Sequence, residues 1–164
     1  MKHIVVLVAA VSAVFSCSAA PRAQAQTAQD LVGTWTLVSA VLQSGDIRTE
    51  VFGPDPRGTL MFNSDGHYAL IFLRHDLPTI TSKNRLSQTP DESRAIAQGS
   101  ITHFGTYGVI ADGKTLVLRI ESSTYPNWNG IEQSWPISRS GDELTYTSPG
   151  TTGVPAQVVL RRAK

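Results

Sequence analysis

From residue 33 onward the chain consists of short runs in which apolar and polar residues alternate, separated by Gly, Pro, Asn and Asp. In the run 33–41, Trp35, Leu37, Ser39 and Val41 fall on one face and Thr34, Thr36, Val38 and Ala40 on the other. A side-chain period of two marks a strand with one buried face. Gly45-Asp46 turns the chain into 47–52, and Gly53-Pro54-Asp55-Pro56 breaks it. Runs 58–63 and 67–74 flank the loop Ser64-Asp65-Gly66. Runs 101–111 and 114–124 flank Asp112-Gly113, the strongest hairpin signal in the chain. With 131–138, 143–147 and 156–162 the series reaches about nine short strands, the rhythm of an antiparallel meander.

One segment departs from this rhythm. Thr89 can cap a helix, Pro90 suits its first position, and Glu92 stands where a capping box needs it. The pattern continues through Gln98 and stops at Gly99. This short helix lies in a long excursion, 75–100, which either covers an open end of the sheet structure or is a solvated connection.

Register then sorts side chains by face. With Asp112 and Gly113 as turn residues, Tyr107 pairs with Leu118, Gly105 with Ile120 and His103 with Ser122. The face carrying His103, Tyr107, Leu116, Leu118 and Ile120 is mostly apolar and is expected to point inward. The face carrying Phe104, Arg119 and Glu121 points to water, unless a one-residue bulge exchanges them. In the other hairpin Asn63 pairs with His67, so Leu60, Phe62, Tyr68, Leu70, Phe72 and Arg74 share the apolar face. An interior holding Tyr68, His103 and Tyr107, with Arg74 at a strand end, has several polar tips that need partners. Such an interior points to a wet cavity or a polar ligand.

The N-terminus adds an address. Lys2, the uncharged run 4–15 and the small-residue site Ala23-Gln24-Ala25 form the three-part layout of a secretory signal peptide. The apolar run falls short of the roughly 20 residues a membrane span needs. The expected organisation is therefore a signal peptide over 1–25 and one domain over 26–164, in the periplasm or outside the cell. Cys17, the single cysteine, follows the apolar run and is a possible lipidation site, though Phe15 and Ser16 before it fit such a signal poorly. Without it the mature domain has no disulfide, no thiol nucleophile and no Cys-based metal site. The formal net charge is +1, and loss of Lys2 and Arg22 takes it to −1. With no basic cluster, neither nucleic acid nor an anionic membrane is an expected partner.

Several stretches carry a family resemblance. Gly33-Thr34-Trp35 resembles the Gly-x-Trp opening of lipocalins, in which the Trp closes the barrel floor. The longer stretches 31–39, 52–58, Asp65-Gly66-His67-Tyr68, 99–107, 120–130 and 141–144 resemble the bacterial and fungal lipocalin-like domain family. The resemblance implies an all-β fold, a closed antiparallel up-and-down barrel of about eight or nine strands with an internal cavity and one short helix in a long loop. It also implies an Arg near the end of the last strand stacked on Trp35. Arg161 and Arg162 both qualify, and Arg161 is taken for the role.

Chemistry narrows the function less. His67, His75 and His103 do not share a face at ligand spacing, so no metal site is expected. A haem on one axial histidine would have to use His103, and no cofactor is expected. There is no Gly-x-Ser-x-Gly, and Ser122 near His103 lacks a third member. The leading expectation is a carrier of a small, partly apolar molecule, with Tyr68, Phe72, Arg74, His103, Tyr107 and Leu118 lining the site. Arg74 at the mouth would favour an anionic group. The first alternative is a small cofactor-free isomerase or cyclase using Glu121, His103 and Tyr107, which a bulge would gather in one pocket. The second is a filled barrel acting through its surface in the envelope. The loop Tyr125-Pro126-Asn127-Trp128-Asn129-Gly130 is expected to cap a barrel end, or else to grip a flat ligand.

Overall fold

The computed structural model describes residues 25–164. The expected signal segment, Cys17 included, lies outside the described residues apart from Ala25. A four-residue helix α1 (Ala28–Leu31) precedes β1 (Gly33–Ser44), β2 (Ile47–Glu50), β3 (Arg57–Phe62) and β4 (His67–Leu73). The helix α2 (Pro90–Gln98) leads into β5 (Ser100–Val109) and β6 (Thr115–Ser123). A single 3₁₀ turn (Pro126–Trp128) precedes β7 (Glu132–Ser140), β8 (Glu143–Ser148) and β9 (Ala156–Arg162).

Each strand from β3 to β9 pairs antiparallel with the next, and β9 returns to β1 along residues 35–42. The result is a closed eight-strand up-and-down barrel. The extra strand β2 pairs with the end of β1, beyond the four residues that β3 takes. Closure removes the unpaired edges an open sheet would leave. Among the described residues no helix is long and apolar enough to cross a membrane.

The hairpin registers follow the alternation. Leu60 pairs with Leu70, Phe62 with Tyr68, Tyr107 with Leu118 and Gly105 with Ile120. Two bulges change the faces beyond them. At Val38 the β1–β9 register slips, so the inward face passes from Trp35 and Leu37 to Ala40 and Leu42, and the expected continuation through Ser39 and Val41 fails. At Glu121 the β5–β6 register slips, so His103 faces Ser123 and not Ser122. Gly105 makes the second bulge possible: a Cβ there would strike the Arg119 carbonyl.

The two ends of the barrel differ. At the floor, Leu31 of α1 is wholly buried and its carbonyl accepts a hydrogen bond from Trp35 Nε1 at 2.8 Å. The guanidinium of Arg162 lies 4.2 Å from the Trp35 ring centroid and donates to the Val32 and Asp30 carbonyls at 2.8 Å each. The expected Arg161 is a correction. Strand side chains alternate, Leu160 points inward, and so Arg162 shares its face while Arg161 is exposed. Above this floor Leu60, Phe62, Leu116, Leu118, Leu144 and Leu160 fill the lower barrel.

Candidate functional site

The upper barrel is not filled. A cavity of about 610 Å³ opens between the end of β2 with the β2–β3 connection, the β8–β9 connection, the end of α2 and the 3₁₀ turn. That volume lies within the range of small-molecule sites, roughly 300–1,000 Å³. Its walls are rich in rings: Phe52, Phe72, Tyr125, Trp128, Trp135 and Tyr146 all line it. Ala97 and Gln98, at the end of α2, and Ser100 complete the rim. The excursion between β4 and β5 therefore covers part of the mouth.

Inward alternation on β5, β7 and β8 brings His103, Trp135 and Tyr146 together. Trp135 stacks on Tyr146 with centroids 4.6 Å apart and 21° between planes. The His103 ring meets Trp135 edge-on at 5.9 Å and Trp128 edge-on at 5.6 Å. Trp135 Nε1 donates to Gln133 Oε1 at 2.8 Å, so the indole is satisfied away from the cavity.

His103 and Tyr68 form a buried pair, with 2.9 Å between the Tyr68 hydroxyl and His103 Nδ1. Burial pushes the imidazole down to about 4, so it is neutral at neutral pH. Burial, and secondarily the field of the Glu121 carboxylate, raises the Tyr68 phenol above its ordinary range. A neutral imidazole nitrogen accepts a hydrogen bond better than a phenol oxygen does, so the Tyr68 O–H is assigned as the donor to Nδ1. The ring proton then sits on Nε2. Neither Nε2 of His103 nor the Tyr146 hydroxyl has a partner among the described residues, yet no enclosed side-chain nitrogen or oxygen there is unsatisfied. Both atoms therefore open onto the cavity their residues line.

The expected site residues divide. Phe72, Arg74 and His103 line the cavity. Tyr68 stands behind His103, and Leu118 belongs to the filled lower core. Tyr107 is at the floor: its hydroxyl donates to the Asn63 carbonyl at 2.9 Å and its ring packs on Phe62. Arg74 is at the rim, but its Nε and Nη2 hold both Asp76 carboxylate oxygens at 2.9 and 2.8 Å. Its charge is thus already matched, and Asp76 is held at about 2 by that contact.

Glu121, His103 and Tyr107 do not assemble. The bulge is present, yet Glu121 is its extra residue and is exposed, while Tyr107 is at the opposite end from His103. The 125–130 loop lies at the open end of the barrel: Trp128 is 8% exposed and packs edge-on against Tyr125 at 5.6 Å, and both rings line the cavity. The structure adds Trp135 and Tyr146 to the site. The alternation Gln133, Trp135, Ile137 and Leu144, Tyr146 carries the signal that places them. Among the described residues no three His, Cys, Asp or Glu side chains gather as a metal site.

A family model described as a lipocalin-like domain matches residues 32–156. The curated proteins compared with the chain include no match. Barrel and family match together support a ligand-binding barrel in general.

Proposed function

The chain belongs to the lipocalin-like domain family, and from that premise we propose that it is an exported carrier of a small, partly apolar molecule, working in the periplasm or outside the cell. The observation that carries the reading is the ring-lined cavity of about 610 Å³ over a filled floor. A barrel acting only through its surface has no need of an open upper half, since closing it would add packing. The isomerase or cyclase alternative draws no support from the geometry, because its carboxylate is outside the barrel. Export rests on the layout of residues 1–25.

The test is native mass spectrometry of the protein purified from the compartment in which it accumulates, before and after mild denaturation. The expected result is a reproducible added mass that leaves on unfolding. A bare mass, together with no thermal shift across a panel of small apolar compounds, would sink the proposal. The N-terminal sequence of the same sample tests export, and a start at Gln26 is expected.

A further inference from the structure

We infer that the cavity takes an uncharged, planar aromatic molecule that directs a carbonyl oxygen at His103 Nε2 and the Tyr146 hydroxyl. The inference rests on the carrier reading and names the class of ligand.

Three observations lead there. The first concerns charge. Of the residues lining the cavity, Glu50 and Arg74 bear charges and His103 is a histidine. Arg74 is engaged by Asp76 through two hydrogen bonds, and Glu50 is an anion at the rim. Burial keeps His103 neutral. A buried anionic group would thus lose its hydration without meeting an unmatched cation, which is strongly unfavourable. Carboxylates and phosphates are poor occupants on this ground.

The second concerns polarity. His103 is 1% exposed and Tyr146 2% exposed, yet each turns one unpartnered polar atom into the space. With the Tyr68 O–H assigned as donor to Nδ1, the ring hydrogen is on Nε2, so the deep end presents a donor. The Tyr146 hydroxyl is a second donor. Both residues pack against the Trp135 ring, which puts these atoms at one end of the cavity. A carbonyl oxygen has two lone pairs and no proton, and it can accept from two donors at the same end of the cavity. An occupant that lacks an acceptor would leave both donors unpaired.

The third concerns shape. Six rings line the walls: Phe52 with Phe72 and Tyr125 with Trp128 meet at steep angles, 72° and 85°, while Trp135 and Tyr146 stack at 21°. Faces and edges both turn toward the space, and a flat π-system meets such walls in stacked and edge-on contacts together.

Calorimetry with three near-isosteric probes tests the inference: methyl 2-naphthyl ketone, 2-isopropenylnaphthalene and 2-naphthoate, at pH 7.5. The ketone is expected to bind at least fivefold tighter than the hydrocarbon and tighter still than the carboxylate. Tyr146→Phe keeps the ring on Trp135 and removes only the hydroxyl. It should weaken the ketone about threefold or more and leave the hydrocarbon no weaker, since it removes a donor the hydrocarbon leaves unpaired, with folding checked by circular dichroism. Equal or tighter binding of hydrocarbon or carboxylate overturns the inference and leaves the carrier reading standing, as does a Tyr146→Phe variant that weakens all three probes alike. If none of the probes binds, the inference falls, and a bare native mass would take the carrier reading with it.

Discussion

Arg162 and His103 show how single side chains set the properties of the two barrel ends. Arg162 faces the Trp35 ring and holds two backbone carbonyls of the α1–β1 junction. A desolvated cation–π contact contributes about 1–2 kcal/mol. Leaving part-buried carbonyls without a donor costs roughly 1–3 kcal/mol more. Arg162→Ala is therefore expected to lose about 3 kcal/mol in urea denaturation, whereas Arg161→Ala, on the exposed face, should stay within about 0.5 kcal/mol. Equal losses for the two would contradict the assigned closure. His103 makes a prediction about pH. Its folded value of about 4 lies below the ordinary 6.5. Between those values the unfolded chain binds the proton and the folded protein does not, so stability is complete above about pH 6.5 and falls as the pH drops toward 4. The full shift corresponds to about 3 kcal/mol. Urea titrations from pH 7 to 4.5 should show this slope in the native protein and a flatter one in His103→Gln. The exposed carboxylates with lowered values, Asp76 and Glu92, titrate at about 2 and act mainly below that window.

At the scale of elements, α2 shows a fully legible signal and the bulges an illegible one. Thr89 and Glu92 cap each other's backbone, and Glu92 Oε1 also accepts from the Thr81 amide and hydroxyl at 2.9 and 2.8 Å. Because the helix has no buried residue, it is held at its ends and not by packing. Glu92→Ala should therefore raise amide exchange across 90–98 at least tenfold while changing global stability by only about 1 kcal/mol. Unchanged exchange would mean that other contacts hold the rim. The capping pattern was readable because it is local in sequence, as were both hairpin registers. The bulges at Val38 and Glu121 were not, since each depends on which residue of a neighbouring strand yields, as Gly105 does for Glu121. The bulge at Val38 takes Ala40 out of the simple alternation with Trp35 and Leu37, and the one at Glu121 leaves that carboxylate outside the cavity. The choice between Arg161 and Arg162 was legible in principle, from the inward parity of Leu160. Helix α1, a single turn capped by Thr27 and Asp30, is too short for periodicity to reveal.

At the scale of the whole molecule, stability and recognition occupy different halves of one closed sheet. The lower half is a packed core on the α1 plug; the upper half trades packing for space, and His103 Nε2 and the Tyr146 hydroxyl, without partners among the described residues, face the cavity. Leu118 and Ala40 test the division. Leu118 is 0% exposed among the floor residues, so Leu118→Ala should cost about 2–5 kcal/mol in urea denaturation. Affinity for a bound probe should be unaffected, since no wall of the cavity moves. Ala40 is buried yet lines the cavity, so the ring of Ala40→Phe has open space to enter. That variant should keep its stability within about 1 kcal/mol, because the added ring fills a void and strains no packed one. It should nonetheless weaken probe binding tenfold or more. The two variants thus predict opposite pairs of results, measured by denaturation and calorimetry on the same preparations. If Leu118→Ala weakened binding as much as Ala40→Phe did, the floor would be shaping the site through the strands, and the barrel would have to be treated as one mechanical unit.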